Sequence, residues 1–368
     1  MSDKITYPFS AIVGQEEMKE GLVLNAINPS IGGMLIRGEK GTAKSTAVRA
    51  LAALLPERRI VKGCPCGCAW GRPDEFCPEC RAREAAGSLE EDVQPMRVVE
   101  LPLSSTEDRV AGTLDIEYAI STGKKKFEPG VLAKANGNIL YVDEINLLDD
   151  HIVDLLLDSA AMGMNYIERE GVSYTHPSKF VLVGTMNPEE GDLRPQLLDR
   201  FGFMANIGGE YDERRRAEII RRRLAFERDP EGFFEEYRGR NDEIRDSIVE
   251  ARRIVAEIEP DDKVLDMAVK ASIHLGVDGH RADLTMVKAA CTYAAYCGRD
   301  DATPYDVIHV SRLVLPHRMR RNPFEDSTLD TAELERWMRA TAETLRGAPF
   351  PSLRSSEETR SRRRWRSV

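Results

Sequence analysis

The chain has 368 residues, 42% of them hydrophobic and 31% charged, the composition of an ordinary water-compatible globular protein with enough length for more than one core. No apolar run approaches the roughly 20 residues needed to cross a bilayer, and a formal charge of -10 argues against a surface built to grip a nucleic-acid backbone. The opening residues, MSDKITYPFSAIVG, lack a basic stretch followed by an apolar block, so a cytoplasmic location is expected.

Short apolar runs bounded by Gly, Asn or Pro recur through the first part of the chain and read as buried strands. They are Met34 to Ile36, Arg97 to Leu101, Ile139 to Val142, Phe180 to Val183 and Phe203 to Ile207. The intervening segments are long enough for crossover helices, which predicts a parallel α/β sheet.

After the first run comes Gly38, Glu39, Lys40, Gly41, Thr42, Ala43, Lys44, Ser45 and Thr46, and then the apolar helical stretch Ala47 to Leu55. Strand, glycine-bearing loop and helix in that order are what a phosphate-binding loop requires: backbone N–H groups surround the phosphates at a helix N-terminus, Lys44 reaches the outer phosphates, and the Ser45 hydroxyl meets Mg²⁺. The bland alternative is a glycine-containing strand-to-helix turn, and the context favours nucleotide. Ala43 stands where a second glycine is usual; ordinary helical angles there would make its methyl group cheap.

Five thiols follow within KGCPCGCAWGRPDEFCPEC, namely Cys64, Cys66, Cys68, Cys77 and Cys80. Their spacing suggests a tetrahedral Zn²⁺ site taking two ligands from the first three and two from the last pair; an Fe–S cluster is the rival, and a redox-active or unmetallated loop the third reading. The spacing does not name the metal. Cys291 and Cys297, on a helical pattern, read as core residues. His151 and His176 have no companions at ligand spacing and are assigned to no metal.

In NILYVDE the four apolar residues carry Asp143 to the end of a buried strand, where it can hold the Mg²⁺ shell, while Glu144 can orient or polarise the attacking water. The next run, KFVLVGTMNP, ends in Asn187, read as a sensor of the γ-phosphate or of that water, with a turn residue before Pro188 as the alternative. LRPQLLDRFG then presents Arg194 and Arg200 on an expected short helix. Arg200 is the preferred finger for a neighbouring subunit's phosphates, against a surface salt bridge to Asp199 or Glu190.

Beyond residue 212 the period becomes helical. Ile244, Ile248, Ala251, Val255 and Ile258 line one face, Val264, Ala268, Ala271 and Leu275 another, and Leu284, Val287, Cys291 and Ala294 a third, predicting a small bundle with Gly276 and Gly279 ending the middle helix. Arg281, at a helix start, is placed to bridge two domains through the nucleotide. The final SLRSSEETRSRRRWRSV reads as a solvated basic tail.

Taken together, YPFSAIVGQEEMK, GEKGTAKST, NILYVDEINLLDDH and EREGVSYTHPSKFVLVGTMNPEEGDLRPQLLDRFG resemble the ATPase subunits of magnesium chelatase, over most of residues 7 to 325. DIEYAISTGKKKFEPGVLAKANG is similar to the insert those subunits carry, and MGMNYIEREGVSYTHP to their inserted β-hairpin, with Glu170 and Gly171 at the turn. The cysteine cluster departs from the family's pattern.

The resemblance implies an AAA+ core with a five-stranded parallel sheet over 1–211 and the family insert at 115–137, to which this chain's own residues add the cysteine-rich insert at 62–82. A helical linker and C-terminal all-α bundle would span 212–350, and a basic flexible tail 351–368. It implies ATP and Mg²⁺ as ligands, Asn187 as first sensor, Arg200 as finger and Arg281 as second sensor, acting on its own or a neighbour's nucleotide. It also implies a hexameric ring working with an integrin-domain subunit and a large tetrapyrrole-binding subunit, with metal insertion performed by that partner. A cobalt-type chelatase ATPase and a remodelling chaperone that loads cofactors or metals into another enzyme share the same residues. A non-hydrolysing assembly switch is disfavoured by the Asp143 and Glu144 pair, and a helicase-like motor by the charge.

Overall fold

The computed structural model describes residues 5–114, 127–169, 172–277, 279–319 and 331–346. The basic tail, the Glu170–Gly171 turn and residues 115–126 of the family insert lie outside the described residues.

Five parallel strands form the central sheet: β1 (Met34–Gly38), β2 (Val98–Glu100), β3 (Ile139–Val142), β4 (Val181–Met186) and β5 (Phe203–Ile207). Their spatial order is β5, β1, β4, β3, β2, and every neighbouring pair is parallel. All residues of β3 and β4 are buried, which is why they read as continuous apolar runs and not as alternating ones. One face packs Leu35, Leu140, Val142 and Leu182 against Ile152, Leu156 and Leu157 of the helix Asp150–Met162. The other packs Met34, Ile36, Tyr141 and Val183 against Leu22 of the helix Glu16–Ile27 and Leu51 of the helix Lys44–Leu54.

That second core continues without a break into the helical part, through Ile248 of Pro230–Ile254, Met267 of Asp262–His274, Met286 of Arg281–Tyr296 and Val310 of Pro304–Val314. Side-chain caps fix where these helices begin. Asp261 accepts from Val264 N–H at 2.9 Å, and Thr303 and Asp306 form a reciprocal capping box. Ile244, Ile248, Ala251, Val264, Ala268 and Ala271 are buried as their spacing predicts. Leu284 is not: it is 62% exposed, whereas Ala282, Met286, Ala289 and Ala290 are buried. The helix Arg281–Tyr296 is enclosed along its second half and covered on one side only at its start, so a single apolar stripe does not describe it.

Three antiparallel additions project from this framework. Arg58–Val61 pairs with Glu91–Gln94 at the base of the cysteine insert, Gly112–Leu114 pairs with Phe127–Pro129, and Met164–Arg169 pairs with Val172–Pro177 as the hairpin anticipated between the helix Asp150–Met162 and β4. The first ribbon is absent from the sequence reading because Ile60 and Val61 are its only buried residues and Glu91–Gln94 is largely polar and half-exposed, too short an apolar run to see.

Candidate nucleotide site and cysteine cluster

Because β1, β4 and β3 are adjacent and parallel, their C-terminal ends open on one edge of the sheet, and the residues that follow them meet there. Gly38 closes β1 against β5. A Cβ at this position would lie 2.2 Å from the Ile207 carbonyl oxygen, so no side chain fits. Glu39, Lys40, Gly41, Ala43 and Ser45 are exposed, with Thr42, Lys44 and Thr46 half-buried, and the Thr42 hydroxyl donates to the Glu39 carbonyl at 2.9 Å. Lys44 folds back over the loop, its ammonium donating to the Gly38 and Glu39 carbonyls. Burial first pushes the Lys44 ammonium below its ordinary value, against the opposing pull of the Asp143, Glu144 and Glu190 charges.

Ala43 does not take helical angles. It sits at φ 61°, ψ 21°, left-handed, immediately before the helix Lys44–Leu54. The usual glycine is thus replaced at a position that favours glycine, at a cost of roughly 1–2 kcal/mol for an L-residue.

Asp143 and Glu144 leave the end of β3 together. Asp143 Oδ1 accepts from the Tyr141 hydroxyl at 3.0 Å and from the Thr185 hydroxyl at 2.5 Å, and the Thr185 oxygen in turn accepts the Glu144 N–H at 3.2 Å. Thr185 is wholly buried in β4. Glu144 is itself left-handed, φ 51°, a backbone conformation that costs free energy for a residue with a side chain and is held by the surrounding contacts. Its carboxylate lies 3.3 Å from Lys40 Nζ, which also meets Glu190 at 2.5 Å. The hydrogen bond to Glu190, then that to Glu144, raises the Lys40 pKa, and Lys40 lowers that of Glu190. Asn187, buried at the end of β4, uses Oδ1 to accept from Glu189 N–H at 3.3 Å in a short turn, so the turn role weighed against the sensor role is realised on that atom. Thr185 and Tyr141 were not read as site residues in the sequence, and Glu190 was named only as a partner for Arg200; Thr185, two residues before Asn187 in an apolar run, was the one detectable anomaly.

The arginines gather on a different surface. Arg194 precedes the helix Pro195–Leu198 and pairs with Asp150 at 2.7 Å, while Arg200 follows it and pairs with Asp158 at 2.6 Å and Asp154 at 3.2 Å. The expected alternatives for Arg200, Asp199 and Glu190, are engaged elsewhere. Asp199 pairs with Arg281 at 2.8 Å, and Glu190 with Lys40. Asp199 also faces Arg318 at 3.3 Å, a guanidinium 1% exposed that donates to the backbone carbonyls of Asp199, Phe201 and Gly202. His317 Nε2 adds a 2.9 Å bond to the Phe201 carbonyl. The segment carrying Arg200 is therefore clasped by the helical part through Arg281, His317 and Arg318, and only the first of these has a sequence signal.

In the insert, the sulfurs of Cys64, Cys68, Cys77 and Cys80 all lie within 4.8 Å of one another, and those of Cys64 and Cys77 are 3.8 Å apart. Cys66 is buried beside them but is not one of these four. The Cys77 N–H points at Cys68 Sγ, 3.2 Å away. Hydrogen bonds from the neighbouring thiols, that of Cys64 first, hold Cys77 well below the usual thiol range. The cluster shares a small core with Phe76, Phe127, Ile167 and Tyr174, and the Tyr174 hydroxyl donates to Glu79 at 2.6 Å. Cys291 is buried in the helical core, as read from the sequence. His176 is buried and held by Asn165 and the Pro177 carbonyl, apart from the thiol group.

Comparison with known proteins follows this geometry. Residues 82–201 match the family model described as AAA domain (dynein-related subfamily), and residues 265–337 the one described as AAA lid domain. The chain is 55% identical over 329 residues to the magnesium-chelatase subunit ChlI homolog of Methanocaldococcus jannaschii, covering 89% of this chain and 90% of the relative. It is 48% identical to the magnesium-chelatase 38 kDa subunit of Acidiphilium rubrum, covering 91% and 96%. Among solved structures, a chain from a cryo-EM-based model of the complex between subunits BchI and BchD of magnesium chelatase is 48% identical, with a TM-score of 0.53 over 87% of this chain and 98% of that one. A putative ATPase from Cytophaga hutchinsonii, 16% identical with a TM-score of 0.59 over 90% of this chain and 91% of that one, shares the fold. The chain belongs to the AAA family of magnesium-chelatase ATPase subunits.

Proposed function

We propose that this protein is the ATP-hydrolysing motor of a magnesium-chelatase-type complex, a cytoplasmic hexameric ring that drives metal insertion into a tetrapyrrole held by a partner. The observation that carries the reading is the convergence, at one sheet edge, of the Lys44 loop, the Asp143–Glu144 pair and Asn187, from three neighbouring strands. The relative solved with BchD supports an ATPase-like companion subunit, here taken to carry an integrin-type domain, alongside a large tetrapyrrole-binding subunit.

In this reading the loop from Gly38 to Thr46 receives the phosphates of ATP, and Lys44 exchanges its two backbone carbonyls for phosphate oxygens. The Ser45 hydroxyl and the Asp143 carboxylate are hard oxygen donors suited to Mg²⁺, which, when bound, neutralises charge on the phosphate chain. Asp143 is steered into place by Tyr141 and Thr185. Glu144 orients the attacking water once Lys40 has moved from it, and the Asn187 amide, which after Lys40 helps hold the Glu190 carboxylate ionised, turns its N–H₂ to the same water or to a phosphate oxygen. Arg200 and Arg281, flanking Asp199 away from the loop, serve the nucleotide of the adjoining subunit, with Arg194 as the other candidate finger. The cysteine insert binds a metal through its sulfurs, as Zn²⁺ or an iron–sulfur cluster.

Nucleotide binding and steady-state hydrolysis on Lys44→Ala and Glu144→Gln test this assignment. Lys44→Ala loses ATP affinity, whereas Glu144→Gln keeps it and loses turnover by a factor on the order of 100 or more. Normal turnover in Glu144→Gln would remove that carboxylate from its role, and ATP binding undiminished by Lys44→Ala would end the motor reading.

A further inference from the structure

We infer that Cys64, Cys68, Cys77 and Cys80 form a closed, mononuclear, tetrahedral zinc site, with Cys66 outside the ligand set. The inference rests on the metal-binding reading of the cysteine insert and specifies it.

Distances argue first. Four thiolates each about 2.3 Å from one tetrahedral Zn²⁺ stand about 3.8 Å from one another, and the Cys64–Cys77 separation is 3.8 Å. All four sulfurs fall inside a 4.8 Å limit, a set drawn around one centre. A cluster with several irons distributes its thiolates over different metal atoms and spreads them further. A disulfide is also excluded, since the bond needs about 2.05 Å and all the cysteines are free.

The backbone is shaped around these sulfurs. The first ligand pair comes from a tight turn in which the Cys64 N–H donates to Val61 and the Gly67 N–H to Cys64, with Gly67 at φ 55°, and Val61 N–H closes the loop on the Cys68 carbonyl at 2.9 Å. The second pair sits at the start of the helix Pro78–Ala85, where Cys77 is the cap residue and Cys80 lies in the first turn. The Cys77 N–H on Cys68 Sγ favours charged sulfur, the form that ligates. Cys68, Cys77 and Cys80 are at most 1% exposed and Cys64 is half-buried; with four sulfurs filling a tetrahedron no position is left for substrate, which marks a structural centre.

Stability supplies the reason for a metal here. Between Gly63 and Arg81 the buried side chains are Cys66, Cys68, Phe76, Cys77 and Cys80, so Phe76 is the one large hydrocarbon side chain the insert buries. So small a core does not hold a loop of this length, and metal cross-linking is the usual substitute. Cys66 is placed differently: its carbonyl is fixed by the Asn136 amide at 2.9 Å, and its thiol lies beside those of Cys64 and Cys77 but outside the set of four sulfurs that are mutually within 4.8 Å.

The test uses the full-length protein purified under reducing conditions without chelator. Elemental analysis is expected to find about one zinc per chain in wild type and in Cys66→Ser, and under about a tenth of that in Cys80→Ser. After zinc is stripped by a chelator, Co²⁺ added to wild type and to Cys66→Ser is expected to give the intense visible absorption of a tetrahedral thiolate centre, saturating at one equivalent. Iron with acid-labile sulfide overturns the zinc assignment while leaving the metal reading intact. Absence of both stoichiometric metal and the cobalt spectrum in wild type overturns both. Loss of zinc in Cys66→Ser overturns the ligand set. The wild-type measurements decide the matter even if Cys80→Ser does not fold.

Discussion

Thr185 joins the two acidic residues of the nucleotide site with one oxygen, donating to Asp143 and accepting from the Glu144 backbone. Thr185→Val keeps the shape and removes both bonds, leaving the Glu144 N–H without its partner, a loss of about 1–3 kcal/mol for a buried group. The expected result is turnover lowered by roughly tenfold, about 1.4 kcal/mol, with ATP affinity within about threefold of wild type. A variant that melts earlier yet hydrolyses ATP at the normal rate would reduce Thr185 to packing. At this scale residue types were legible and conformations were not. Lys44, Asp143, Glu144 and Asn187 were visible because their motifs sit at strand ends, whereas the left-handed turns at Ala43 and Glu144 depend on neighbours far away in sequence. Arg200 was likewise visible as a residue, but its partners Asp154 and Asp158 come from the helix Asp150–Met162, a pairing set by tertiary approach.

Among the elements, the hairpin Met164–Arg169 with Val172–Pro177 leans on the cysteine insert. Tyr174 stacks on Phe127 with ring centroids 4.3 Å apart and donates to Glu79, which lies between Cys77 and Cys80 in the chain and whose carboxylate is also 3.3 Å from Cys77 Sγ. If the insert holds the inferred zinc, removing it is expected to loosen the hairpin as well. In hydrogen exchange, the backbone amides of 172–177 should exchange at least about tenfold faster after chelation, while those of β3 and β4 stay protected. Unchanged exchange in the hairpin would show that the insert and the hairpin stand independently. The central strands were read to within a few residues because they are buried on both faces, and the hairpin through its resemblance. The ribbon Arg58–Val61 with Glu91–Gln94 is held by cross-strand pairing of charged residues such as Arg59 and Glu91, which leaves no hydrophobic period.

Over the whole molecule, the contact between helical part and sheet domain should give stability an acid-sensitive component. Burial first, then the Arg318 charge, pushes the His317 imidazole down to about 3, and its Nδ1 is shut away without a partner among the described residues. The folded protein keeps this ring neutral while the unfolded chain protonates it near 6.5. The contribution is complete above that value and drains away as pH falls through the window toward 3. His317→Gln preserves a donor for the Phe201 carbonyl and cannot ionise. Between about pH 7 and about pH 5 it is expected to lose less stability than wild type, by on the order of 1 kcal/mol, in paired thermal melts. Parallel melting curves would place the acid sensitivity elsewhere, His176 being a second imidazole lowered by burial.

Asp199 and Arg200 are consecutive, so their Cα atoms are about 3.8 Å apart. One is anchored to the helical part by Arg281 and Arg318, and the other reaches the acidic face of the helix Asp150–Met162. A single peptide separates the two anchorages. Any shift of the helical part at Asp199 is therefore only one residue away from the Arg200 ion pairs, and the side chains of the two anchorages are what separates them.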